Sequence, residues 1–155
     1  MKLFTELKNN DDVWVIYNNN WDKNIPSKFI YAPSDYKLEK CVVIENKLNI
    51  PRIYDYSNRY EEYNSFTVHE HWLSITFHDI IYSRYYTNDY NEYKHLTISC
   101  EYNYNGPRIE VFPNYEWAKE YLVNICNHEI NSIKENIKKE RIKINLLKKS
   151  LKQVE

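Results

Sequence analysis

After Pro113 the chain runs to its last residue without a glycine or a proline, and its apolar residues recur three and four apart. Val123, Cys126, Ile130, Ile133, Ile137, Ile144, Leu147, Leu151 and Val154 keep one side of an α-helix apolar, with Glu140 the single break. Asn114 is placed to cap the helix, and Glu116 in its first turn complements the positive end of the dipole. Continued to Lys152, such a helix is roughly 58 Å long at 1.5 Å per residue. That exceeds the width of a domain of this size. Any sheet must therefore be built from residues 1–113.

Those residues read mainly as strands, because β-branched and aromatic residues fall in short runs separated by Asn, Asp and Pro. The runs are Val13 to Tyr17, Lys28 to Tyr31, Lys40 to Glu45, Arg52 to Tyr56, Phe66 to Phe77, Thr97 to Tyr102 and Arg108 to Phe112. The last two flank Asn105 and Gly106, a pair suited to the positive φ angles of a hairpin turn. Gly106 is the only glycine, so asparagine has to serve wherever else a left-handed residue is needed; Asn9, Asn10 and Asn18 to Asn20 sit where strands would end. Ser83 to Lys94 is polar and dense in tyrosine, without a period of its own, and reads as a long exposed loop.

The length of 155 residues suits one domain with a sizeable core. Three cysteines, Cys41, Cys100 and Cys126, are odd in number and widely spaced, which points to a reduced compartment. The opening MKLFTELKNNDD turns acidic without the apolar stretch of a secretory leader, and no run approaches the roughly 20 apolar residues of a membrane span. The expectation is a cytoplasmic protein of a bacterial host. The excess of Asn, Ile, Lys and Tyr follows the codons of an AT-rich genome. A balance of 22 acidic against 21 basic residues excludes a basic coat over the whole surface.

Two segments, Asp12 to Tyr17 (DVWVIY) and Glu110 to Leu122 (EVFPNYEWAKEYL), give the chain an arrangement that resembles small uncharacterised phage and low-GC bacterial proteins. In these a compact, partly closed β-sheet precedes one C-terminal helix. The resemblance implies a fold and an origin, and transfers no functional residue. The expected class is α+β: a mainly antiparallel sheet of about five to seven strands, able to close toward a barrel, then a long amphipathic helix. Residues 1–113 form the β-rich body, and residues 114–155 form a helix within the same domain or a projecting coiled coil.

Candidate chemistry is sparse. A single glycine excludes a Walker loop, a dinucleotide-binding fingerprint and a kinase glycine loop, each of which needs several. His69 and His71 stand two apart on a strand, so both point to one face and could share a zinc ion if a third ligand came from His95, Cys100 or a carboxylate. The ordinary alternative is a pair of half-exposed strand histidines with Trp72 turned inward. No cofactor is expected.

Between Lys134 and Lys152 eight basic residues face two acidic ones. Lys134, Lys138, Arg141 and Lys148 could grip phosphate, or form the solvated flank of an amphipathic helix. The seam of Ile130, Ile133, Ile137, Ile144, Leu147 and Leu151 is apolar enough for a homodimer, although Lys143 would oppose Lys148. Tyrosine clusters with Asp, Glu, Asn and Ser at Tyr54, Tyr56, Tyr60 and Tyr63, and again at Tyr82, Tyr85, Tyr86, Tyr90 and Tyr93. That mixture is the one paratopes use, with rigid aromatic area beside adaptable polar groups. The expected function is a non-enzymatic protein of phage or mobile-element type that binds a host protein stoichiometrically through Tyr60, Tyr63, Tyr85, Tyr86, Tyr90 and Tyr93, for example to inhibit a defence or nuclease complex. The alternatives are nucleic-acid binding by the distal helix and, third, a metal-dependent enzyme built on His69 and His71.

Overall fold

The computed structural model describes residues 1–19, 34–56, 64–87, 94–99 and 108–154. Six strands form one antiparallel sheet: β1 (Asp12–Asn18), β2 (Tyr36–Tyr56), β3 (Asn64–Phe77), β4 (Ile80–Thr87), β5 (Leu96–Ser99) and β6 (Arg108–Phe112). A 3₁₀ turn, Phe4–Glu6, precedes them and a single helix, α1 (Tyr115–Leu151), follows. Their order β4-β3-β2-β1-β6-β5 makes each strand a neighbour of the next in sequence wherever a ladder exists, with β6 returning to β1. The sheet curls until β4 approaches β5. There Arg84 bridges the seam, its Nη1 donating to the Thr97 carbonyl at 2.5 Å. The barrel is nearly closed, which leaves few bare strand edges.

Alternation decides what lies inside. Val13 and Val15 of β1, Cys41 and Val43 of β2, Leu73, Ile75 and Phe77 of β3, Tyr82 of β4, Ile98 of β5 and Ile109 and Val111 of β6 all point to the interior. Phe4 and Leu7 plug one end, and the Asn46 side-chain amide holds them by donating to the carbonyls of both residues at 2.9 Å. On the outer surface of β1 and β6, Ile16, Phe112 and Ala118 are buried apart from this cluster. The Tyr115 ring meets Trp14 edge-on at 4.8 Å. The first helical turn thus packs with the barrel, and the chain divides into compact units Met1–Lys119 and Glu120–Glu155.

Four expectations change. Lys40 to Glu45 and Arg52 to Tyr56 are not separate strands but parts of the 21-residue β2, which absorbs register shifts at Val43/Glu45 and Lys47/Ile50. Asn49, with φ 56°, makes the second of these bulges. Pro51 fits in mid-strand because β1 stops pairing with β2 near Val43, so that among the described residues that side of β2 has no ladder beyond it. The tyrosine-dense segment is not a loop throughout: Ser83 to Thr87 belong to β4, paired with β3 from Phe77↔Ile80 to Glu70↔Thr87. Asparagine is not the sole stand-in for glycine either, since the two-residue turn between β3 and β4 uses His78 (φ 48°) and Asp79 (φ 60°). Finally, Trp72 is not the inward residue beside the histidines. His69 and His71 share their face with Leu73 and Ile75, whereas Trp72 lies on the outer face.

Lys28 to Tyr31 and the Asn105-Gly106 turn lie outside the described residues. The strands that this turn was expected to join, β5 and β6, are paired antiparallel from Leu96↔Val111 to Ser99↔Arg108. Helix α1 starts as expected, with Asn114 Oδ1 accepting from the Trp117 amide at 3.1 Å. It runs for 37 residues, about 55 Å at 1.5 Å per residue.

Candidate functional site

Among the described residues the β3–β4 ladder reaches Glu70↔Thr87, while β2 and β3 continue together to Tyr56↔Asn64. This stretch of β2 and β3 pairs, among the described residues, only with itself, as a two-stranded arm. Register places Arg52 opposite Val68, Tyr54 opposite Phe66, and Trp72 opposite Tyr85, so these six side chains share the outer face.

At the base of that face lies Glu70, 2% exposed. A carboxylate in such a place needs partners, and it has two. Arg52 Nη1 donates at 3.1 Å and the Tyr54 hydroxyl donates to the other oxygen. The bond to Glu70 holds the Tyr54 phenol above its usual range. Arg52 in turn lies over the Tyr85 ring, 4.2 Å from its centre, and Tyr85 meets Trp72 at 4.3 Å between centroids. Tyr54 stacks on Phe66 at 5.9 Å. One buried charge thereby fixes a guanidinium, and the guanidinium fixes a ring. Tyr54, Phe66 and Tyr85 remain 38% to 46% exposed despite these contacts. On the opposite face of the arm Ile53 is 72% exposed.

Of the tyrosines expected to bind a partner, Tyr85 belongs to this cluster. Tyr86 does not: it points to the barrel interior, packed against the core with its phenol driven up by burial. Tyr60, Tyr63, Tyr90 and Tyr93 lie outside the described residues. Tyr54 stands on β2, within the run Arg52 to Tyr56 expected to be a strand, and Tyr82 is buried in the core. Arg52, Phe66 and Trp72 were missed by a search centred on tyrosine. Alternation between paired strands could have found them, had β4 been recognised.

The other candidates separate. His69 is exposed, while His71 lies half-buried at the plugged end of the barrel, its Nδ1 accepting from the Asn49 amide at 3.2 Å. Burial, then the charge of His69, hold His71 below 6.5. Among the described residues no group of three or more His, Cys, Asp or Glu side chains is gathered as a metal site would require. Cys100 lies outside the described residues, and His95 meets Glu110 at 3.4 Å. Lys134, Lys138, Arg141 and Lys148 are all exposed on α1, along one stripe. Among the described residues no helix is long and apolar enough to cross a membrane.

At the barrel end away from the plug, Tyr17, Phe77, His78, Ile80, Tyr82 and Ile109 line an open recess of about 220 Å³. Glu39 at its edge accepts from the Tyr17 hydroxyl at 2.6 Å and lies 2.7 Å from His78 Nε2. No family model, curated protein or solved structure matches the chain.

Proposed function

We propose that this is a non-enzymatic binding protein that captures a partner protein stoichiometrically through the outer face of β2, β3 and β4. The observation that carries this reading is the Arg52–Tyr85–Trp72 stack anchored on buried Glu70. Trp, Tyr and Arg are the residues that dominate binding energy at protein interfaces, above all when their conformations are set in advance. Here the cost of ordering them is met within the free protein. The partner is a host protein, and inhibition of a host defence or nuclease complex is the specific form this binding takes.

The test compares the intact chain with Trp72→Ala and Tyr85→Ala variants, each immobilised and exposed to host extract. A protein retained in a one-to-one ratio by the intact chain and lost by both variants supports the reading, provided their thermal transitions remain cooperative. Equal capture by all three removes it.

A further inference from the structure

A second surface, independent of the sheet face, lies within the helix unit. Ile130, Ile133, Ile137, Ile144, Leu147 and Leu151 stand 47% to 65% exposed. They occupy alternating first and fourth positions of a heptad repeat, a seam that in water seeks an apolar cover. One flank of the seam carries Lys134, Arg141 and Lys148 at intervals of seven, and the other carries Glu129, Asn136 and Lys143. Glu140 occupies a seam position, where Lys143 Nζ reaches it at 2.6 Å.

These charges select among possible covers. In a parallel pair of identical helices, Glu129 would meet Lys134, but Lys143 would meet Lys148 and Glu140 would face its own copy across the seam. In an antiparallel pair the flank with Lys134, Arg141 and Lys148 would face itself. A nucleic-acid backbone would satisfy that flank and leave the aliphatic seam in water. We infer that the helix docks an amphipathic helix of a partner protein whose seam is aliphatic and whose flank presents Asp or Glu to Lys134, Arg141 and Lys148. One Lys or Arg of that partner's seam faces Glu140. A polar residue in a seam sets register and rejects wrong partners, which is the role this places on Glu140.

The experiment uses the full chain and two synthetic heptad-repeat peptides with the same Ile/Leu seam and one seam lysine, one flanked by Glu and the other by Lys. Fluorescence anisotropy is expected to show the Glu peptide binding about tenfold or more tighter, an advantage that shrinks as salt shortens the screening length. Ile137→Asp with Ile144→Asp, both on exposed positions, abolishes it. Equal binding of the two peptides, or binding of neither, overturns the inference. A micromolar dimer of the chain alone that the same substitutions dissociate overturns it in favour of a second copy. Binding of oligo(dT) or a DNA duplex that survives these substitutions but not Lys134→Glu with Arg141→Glu overturns it in favour of a polyanion. Failure of Trp72→Ala to affect partner capture would leave this helix untouched, so the two surfaces are tested separately.

Discussion

Arg52 sits with its guanidinium carbon 4.2 Å from the centre of the Tyr85 ring, while one of its nitrogens donates to Glu70 at 3.1 Å. The two contacts are chemically unequal. Tyr85 and Arg52 can both be rehydrated if separated, but Glu70 is buried and cannot. Removing Arg52 therefore leaves a buried carboxylate without its counter-charge and with only the Tyr54 hydroxyl as donor, whereas removing the carboxylate strands nothing that water cannot reach. Arg52→Ala should lower the urea midpoint further than Glu70→Leu does, and combining the two should recover part of the loss. Urea titrations of the three variants read this order; the reverse order would mean that Glu70 is not held by Arg52.

Asn46 closes the plugged end with one amide group. Its two bonds to the carbonyls of Phe4 and Leu7 are the side-chain ties between β2 and the N-terminal turn. Asn46→Ala takes one donor from each carbonyl, leaving that of Phe4 with the Leu7 amide at 3.3 Å, at a cost of about 1 to 3 kcal/mol. Hydrogen exchange should rise first in residues 3–8, before the strands respond. Unchanged exchange there would show that Phe4 and Leu7 hold the plug by burial alone.

Proton binding at the opposite end depends on Tyr17. Burial, followed by its bond to Glu39, pushes the phenol up to about 12 from 10.0. The folded protein thus keeps a proton that the unfolded chain loses near 10, so this contribution is fully present below pH 10 and is lost as pH rises through about 12. Glu39 moves the other way: its bond to Tyr17, then that to His78, lower its carboxyl below 4.5, and its contribution is lost as the solution becomes acidic. Carbon NMR at the tyrosine ring carbons should show the Tyr17 phenol, identified as the signal that Tyr17→Phe removes, still protonated at about pH 11. Tyr17→Phe should flatten the alkaline fall in stability.

Cysteine chemistry reports the two units separately. Cys41 lies in the barrel core, 6% exposed, with its thiol pushed up to about 12 by burial and then by Asp12. Cys126 on α1 is only partly buried. In a Cys100→Ser background a thiol reagent should modify Cys126 promptly and Cys41 only at the rate of barrel unfolding. Equal rates at the two positions would show that the barrel opens easily around β2.

Part of what could be read locally was read correctly. The cap at Asn114, the helical period after it, and the strand runs of β1, β3 and β6 are properties of neighbouring residues in the chain, and they survive in the structure. Strand β4 was lost because Ser83 and Arg84 look like loop when read alone. Their polarity makes sense only beside partners far away in the chain: Arg84 closes the barrel at the β4–β5 seam, and Ser83 Oγ donates to Ser74 Oγ of β3 at 3.2 Å. The two-residue gap at His78 and Asp79, between apolar Phe77 and Ile80, was the available signal, masked by the absence of glycine.

The sequence by itself determined the element types: an antiparallel sheet confined to the first 112 residues and one capped, uninterrupted helix after them, because periodicity and capping act over a few residues. Only the tertiary structure decided which strands pair, how far β2 continues through its bulges, and which aromatics are outside. Those outcomes depend on ladder partners far apart in the chain. A register shift of one residue would have sent Glu70, Arg52 and Tyr85 to the opposite face, so no local pattern could have placed them together.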